Sequence, residues 1–287
     1  MTPPTILLIG SAGQLGFELA RALPAHGQVI ALDRAALDLA DADAVVAAVR
    51  GARPQLIVNA AAYTAVDRAE SEPGHADAIN AKAPGILAEE ARRADALLIH
   101  YSTDYVFDGE ASAPYDEQAV PGPINAYGRS KLGGERAIHA AGGLSLVLRT
   151  SWVYGLRGQN FRTTRRRLAA EREELRIVAD QIGTPNWTRS LADATAALVG
   201  RGSAYLAERS GLYHLSGGGS TSWFDFARAI FADAARPRVV PITSAEYPTA
   251  ARRPRHSVLA SGKFTDTFGF ALPAWDEMLR ACMTELR

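Results

Sequence analysis

The sequence predicts an α/β protein: a doubly wound parallel sheet with a smaller C-terminal α/β domain set against it. Two observations carry this. Continuous Val/Ile/Leu runs alternate with amphipathic stretches through the first half, as strands do when helices bury both of their faces. A glycine-rich turn, "LLIGSAGQLG" at 7–16, joins the first run to the first amphipathic stretch, where such folds bind their ligands.

In chain order, strands are expected at 5–10, 28–33, 55–60, 96–102 and 144–150. Between them, helical patterns cover Gln14–Leu23, Asp41–Val49, a long stretch from about Gly74 to Asp95, and Asn125–Ala140. This is the Rossmann arrangement, assigned to residues 1–150. From 151 to 287 Gly and Pro become frequent and strands fewer, with helices expected at Ser190–Val199, Trp223–Ala235 and Pro273–Leu286. That half reads mostly as a substrate-binding domain against the strand C-termini. A segment around 186–216, including "GLYHLS" at 211–216, is expected to return to the main sheet. The basic stretch "RTTRRRLAAERE" (162–173) reads as the solvated face of a helix, with a site for substrate phosphates as the sharper alternative.

The 287 residues carry zero formal net charge, so no global field favours nucleic acid. A single cysteine, Cys282, excludes an internal disulfide and fits a reducing compartment. No leader pattern opens the chain and no apolar run reaches spanning length, so the expected location is the cytoplasm, away from membranes. The sequon Asn186-Trp187-Thr188 has no meaning without secretion. The six histidines are scattered, with no zinc spacing, and no G-x-S-x-G elbow is present. His100 and His214 read as structural residues in or near strands.

The turn places Gly10, Gly13 and Gly16, with Gln14 and Leu15 between them, at the start of a helix. Glycines there let backbone N–H groups approach a pyrophosphate at the positive helix end. The second strand ends at Asp33, whose carboxylate suits ribose hydroxyls and so NAD; Arg34 suits a 2′-phosphate and so NADP. The two leave NADH and NADPH both open. After the third strand, Ala60, Ala61 and Ala62 leave bare backbone that suits close passage of a cofactor.

At the other end of the cleft, Tyr127 and Lys131 are i and i+4 on one helical face, in a chain with only three lysines. The preceding strand ends in "YSTDYVFDG", bringing Ser102, Thr103 and Asp104 to the sheet edge. Carbonyl reduction needs such a set, because the oxygen that gains negative charge must receive a proton. A phenol near pKa 10 is a poor donor unless a nearby ammonium favours phenolate, so Lys131 is expected to lower the pKa of Tyr127. Thr103 would hydrogen-bond the substrate oxygen.

With these residues in hand, the chain resembles the extended short-chain dehydrogenase/reductases, and within them the dTDP-4-dehydrorhamnose reductase family, nearly end to end. The resemblance lies in "GSAGQLG", "NAAAYTAVDRAESEP", "IHYSTDYVFDG", "NAYGRSKLGGE", "LRTSWVYG", "DQIGTP", "GLYHLSGGGSTSW" and "YPTAARRPRHSVL". It implies reduction of the C4 carbonyl of dTDP-4-dehydro-β-L-rhamnose by NADPH or NADH. It implies Tyr127 as proton donor, Lys131 as its partner and Thr103 as tuning hydroxyl. Asp104, Val106 and Trp152 would contact the sugar nucleotide and Arg253 its diphosphate. Asp38-Leu39 would lie on the adenine side and Ala62-Tyr63-Thr64 on the nicotinamide side. Departures are the arginines of "RTTRRRLA", Asn186 and His256. Some members dimerise through magnesium held by glutamates; no such set is placed here, magnesium is not predicted, and monomer and homodimer both stay open. Competing readings are a non-catalytic NADP-binding regulatory subunit, which would need no proton donor, and a reductase or epimerase of another nucleotide sugar.

Overall fold

The computed structural model describes residues 3–232 and 237–285. Six strands form one parallel sheet: β1 (Thr5–Ile9), β2 (Gln28–Leu32), β3 (Leu56–Asn59), β4 (Leu97–Thr103), β5 (Ser145–Thr150) and β6 (Gly211–His214). Their spatial order is β6-β5-β4-β3-β1-β2. The chain steps from β1 to β2 on one side, then returns to place β3 on the other side of β1. The strand order reverses there, and ligands of open α/β sheets bind in the crevice beyond such a point.

Successive strand residues face opposite ways, and each face has its own core. On one side Ile6, Leu8, Val58, Ile99, Leu146 and Leu148 pack with Leu15 and Leu19 of α1 (Gln14–Ala22). On the other, Leu7, Ile9, Ile57, Leu98 and Val147 meet Val45 and Val49 of α2 (Ala42–Ala52), Leu87 of α3 (Ala83–Arg93) and Ile138 of α4 (Ala126–Ala141). The covered sheet is the doubly wound architecture that the alternating runs predict.

The long helix expected from about Gly74 to Asp95 is helical through most of that span but not uniform. It runs as Pro73–Asp77, a π-turn at Ala78–Lys82, and α3. Pro84 has no N–H for the Asn80 carbonyl, and the ladder widens just before it. A Cβ on Gly134 of α4 would sit 2.2 Å from that carbonyl, so the two helices cross with backbone nearly touching. The start of α4 is fixed by Asn125, whose side chain accepts from Gly128 N at 2.7 Å. Glu70 adds a bond from Ala126 N at 2.7 Å.

Beyond β5 lie α5 (Phe161–Glu171), α6 (Thr188–Val199), α7 (Trp223–Ile230) and α8 (Trp275–Thr284). Leu191 and Leu198 of α6 complete the core over α1. The β6 strand, 211–214, pairs with β5 as the sheet's edge. Two strands that the pattern did not reveal, Glu174–Val178 and Arg238–Ile242, pair in parallel with each other. They lie apart from the main sheet, and their mixed polar sequence hides the period. Residues 233–235 of the expected helix after Trp223, and Leu286 of the last one, lie outside the described residues.

Candidate active site

The cleft begins where β1 and β3 part. Gly10 has φ +87, and a Cβ on it would lie 2.7 Å from Ala61 N. A Cβ on Gly16 would lie 2.0 Å from the Gly10 carbonyl oxygen. Both positions therefore exclude any side chain, one for its backbone conformation and its neighbour, the other for space alone. Gly13 precedes α1, whose start has no side-chain cap. Bare backbone and an uncapped helix end fit the pyrophosphate of a dinucleotide, because a Cβ would fill the cradle and a cap would occupy its N–H groups. Gln14 is tied across the cleft: its Oε1 accepts from Asn160 Nδ2 at 2.7 Å. Leu15 turns inward to the core.

Asp33 follows β2, and its Oδ1 accepts from Ala35 N and Ala36 N at 3.0 Å each, leaving the second oxygen for a ligand; Arg34 is exposed. Asp38 Oδ1 accepts from Ala40 N, while Leu39 is buried in the α2-side core. Ala60, Ala61 and Ala62 run half-buried past Gly10. Tyr63 is pinned by Asn80, which accepts from its N–H and donates to its carbonyl, and its hydroxyl donates to Glu72. Thr64 is exposed.

At the end of β4, Thr103 Oγ1 donates to Asp104 Oδ1 at 3.0 Å and accepts from Tyr105 N. Tyr127, in the first turn of α4, meets Thr103 and sits edge-on to Tyr105 at 5.7 Å. Burial pushes the Tyr127 phenol up to about 12, opposed by its hydrogen bond to Thr103 and reinforced by Asp104. Asp104 is itself pushed up to about 6 by burial, with Ser257 and Thr103 hydroxyls acting the other way. In this structure the Lys131 nitrogen meets the strand beneath it, and burial dominates the Tyr127 phenol. Lys131 is buried, and its Nζ donates to the Tyr101 carbonyl at 2.6 Å and lies 3.2 Å from His100 Nε2. Its nitrogen is thus engaged by the strand beneath. Burial draws Lys131 down to about 8, against the opposing field of Glu135.

The far wall comes from the second half of the chain. Trp152 holds φ +44, a strained value for a bulky residue, and stacks on Trp223 with ring centroids 3.4 Å apart. A Cβ on Gly183 would collide with the Trp152 ring. Arg253 is paired with Asp67 through bonds of 2.7 and 3.0 Å. Val106 does not present its side chain to the cleft: it is fully buried with Phe107, Tyr115, Leu132 and Leu259, because the short 3-10 turn after Thr103 rotates it into that cluster.

Known proteins resemble this chain along nearly its whole length. The family model described as the RmlD substrate binding domain matches residues 4–287. A dTDP-4-dehydrorhamnose reductase of Burkholderia thailandensis is 47% identical over 293 residues, 98% of either chain. One of Shigella flexneri is 44% identical over 294 residues, 98% of this chain and 97% of its own. Among solved structures, the dTDP-4-dehydrorhamnose reductase of Bacillus anthracis in complex with NADP superposes with a TM-score of 0.92 at 38% identity, over 99% of this chain and 100% of that one. The chain belongs to the dTDP-4-dehydrorhamnose reductase family.

Several site features of this family member escaped the sequence reading. Asn59 and His100 contact each other at 3.1 Å beneath Lys131. Ser102 and Arg149 both bind Glu135, at 2.5 and 2.6 Å, one turn along α4. Each comes from a different strand, so only register brings them together. Trp223 and Asp67 were likewise invisible as partners of Trp152 and Arg253. The solvated-face reading of 162–173 fails at Arg162, which is buried with its Nε and Nη2 unpartnered and its basicity lowered by burial. Asn186 of the sequon is fully buried, its amide bonded to Ser151, Thr184, Ser216 and Gly217. Among the described residues, no three His, Cys, Asp or Glu side chains gather to hold a metal ion, and no helix is long and apolar enough to cross a membrane.

Proposed function

We propose that this chain reduces the C4 carbonyl of dTDP-4-dehydro-β-L-rhamnose to give dTDP-β-L-rhamnose, using NADPH or NADH. The observation that carries the reading is the meeting of Thr103 and Tyr127 at the strand ends, on the same sheet edge as the glycine cradle. A dinucleotide held at the glycine turn of Gly10, Gly13 and Gly16 would supply hydride to the carbonyl carbon. The protein must then give a proton to the oxygen, and Tyr127 is the group placed to do so, its burial keeping it fully protonated at neutral pH. Thr103 directs its hydroxyl at the same oxygen and holds the carbonyl in line. Lys131 shares the helical face of Tyr127, and turned outward it would hold the nicotinamide ribose and favour phenolate.

Gly10, Gly13 and Gly16, with the N–H groups of Gln14 and Leu15, would hold the pyrophosphate; Asp33 and Arg34 the adenosine ribose; Asp38-Leu39 the adenine side; and 60–64 the nicotinamide side. Trp152 offers a flat apolar face to the deoxysugar, with Asp104 beside it. Arg253 takes the diphosphate, sharing or leaving Asp67 to do so. The residues of 151–287 outside β6 and its lead-in would form the substrate-binding half. The buried thiol of Cys282 suits a reducing compartment, and with it the cytoplasm.

The test is the absorbance decay of NADPH, then NADH, with purified protein and freshly generated dTDP-4-dehydrorhamnose that includes the 3,5-epimerase product. Decay with formation of dTDP-L-rhamnose is expected. Cofactor binding without decay would exclude this substrate and return the readings of another nucleotide sugar or a regulatory subunit.

A further inference from the structure

Beneath the catalytic face, the protons of a buried hydrogen-bond chain can be placed atom by atom. Asn59 ends β3, and His100 lies beside it in register on β4. Lys131 reaches down from α4 to the same point. The Ala61 backbone N–H donates to Asn59 Oδ1 at 3.1 Å. A backbone N–H can only donate, so the amide orientation is fixed. Asn59 Nδ2, also donor only, then faces His100 Nδ1 at 3.1 Å.

His100 Nδ1 must therefore accept. A neutral imidazole that accepts at Nδ1 carries its hydrogen on Nε2, and Nε2 is the atom 3.2 Å from Lys131 Nζ. His100 is fully buried, and burial holds it far below the ordinary histidine range, so the neutral form applies. Lys131 Nζ in this position is met by an N–H. A neutral amine has a lone pair to accept it; an ammonium has none.

We infer that Asn59 and His100 are positioning residues for Lys131: they fix a tautomer that accepts only the neutral amine at the inner position, and so turn the ammonium outward along its helix face toward Tyr127. The inference rests on the reading of Tyr127 and Lys131 as a catalytic pair. It couples the location of the charge to its existence, so that the ammonium stands by the phenol whenever Lys131 is protonated. The Tyr101 carbonyl, 2.6 Å from Nζ, accepts from an amine and an ammonium alike and so does not choose between them. The remaining groups around Lys131 do not replace this device. Glu135, one turn along α4, favours the ammonium, but its carboxylate is held by Arg149 of β5 and by Ser102 of β4. Tyr127 shares the helix, and Asp104 at the end of β4 acts on Tyr127. Asn80 and Ser130 are uncharged and bonded to each other.

The deciding variant is Asn59→Asp. One carboxylate oxygen still accepts from Ala61, and the other accepts from His100 Nδ1–H, so Nε2 becomes the acceptor for an inner ammonium. His100→Gln is the second variant, because its amide oxygen can also turn to an ammonium. Two spectra read the effect without turnover. A long-range proton–nitrogen spectrum of the histidines should show an Nε2–H tautomer for His100 in the parent and Nδ1–H in Asn59→Asp. Titration of the lysine Cε carbons, simple with three lysines, should move the Lys131 midpoint up by about one pH unit or more in both variants. Turnover should fall about tenfold and KM for the dinucleotide should rise, because the outward Lys131 is also the group read as holding the nicotinamide ribose. An Nδ1–H tautomer in the parent, or a Lys131 midpoint that stays in place in both folded variants, would overturn the inference. Tautomer and midpoint as expected in a protein that does not reduce the dTDP sugar would leave the positioning of Lys131 standing and defeat the activity alone.

Discussion

At the end of β1 the molecule makes its site from backbone with nothing on it; at the end of β4 and the start of α4 it makes its site from charged and phenolic groups taken out of water. In the first region, Gly10 and Gly16 leave no room for a Cβ, and the neighbouring strand end passes at backbone distance. In the second, Lys131, Glu135, Arg149 and Asp104 are all buried: Glu135 and Arg149 pair with each other, Lys131 meets Tyr101 and His100, and Asp104 accepts from Thr103. The first is a matter of shape and tolerates almost no change of volume. The second is a matter of proton placement, where a substitution can preserve shape and still remove chemistry. On the proposed reading, rigid backbone would position the dinucleotide and buried side chains would decide where charge sits during reduction.

The sharpest break in the comparison is Tyr127→Phe, which keeps the volume and the edge contact with Tyr105 while removing the proton. Turnover should fall roughly 100- to 10,000-fold, with dinucleotide affinity, measured by titration, nearly unchanged. Gly16→Ala inverts that pattern: a Cβ 2.0 Å from a backbone oxygen should cost about 3 kcal/mol through overpacking, lowering both the melting temperature and dinucleotide affinity. Lys131→Met tests the charge side alone. Lys131 is depressed to about 8 in the fold against 10.5 as its ordinary value, so over that window the unfolded chain binds the extra proton and stability rises with pH. The charge thus weighs against folding most below pH 8. The methionine variant should melt higher than the parent near pH 7, lose that advantage as pH approaches 10.5, and be inactive throughout; a variant that melts lower at pH 7 would show the ammonium to be stabilising. The mildest contrast is Gly51→Ala in the last turn of α2, where no atom lies within 4 Å of the added Cβ. It should stabilise by about 1 kcal/mol in denaturant titration and leave activity alone.

Much of the fold was readable because its signals are local. The apolar runs of β1 to β5 and the turn at 10–16 lie within a few residues of one another, and periodicity reports burial directly. The strands 174–178 and 238–242 were not readable, since a short pair with polar residues on one face differs little from loop. The break at 78–82 was foreshadowed by Pro84, whose missing N–H is a local fact, but its consequence depended on Gly134 of another helix. The π-turn is thus half legible.

At the site the division is of the same kind. Tyr127 and Lys131 share a helical face at i and i+4 and Thr103 ends a strand, so the sequence alone pointed to one sheet edge and to the carbonyl chemistry that these residues suit. It also required glycine at 10 and 16, because no side chain can follow the turn that the backbone takes there. What only the tertiary structure decided is the partner of each buried charge. Lys131 lies against Tyr101 and His100 instead of Tyr127, Arg253 lies on Asp67, and Trp152 stacks on Trp223. These pairs join residues from 30 to 186 positions apart. A buried charge takes whichever partner the packing brings within about 3 Å, and a linear sequence carries no distance between such residues.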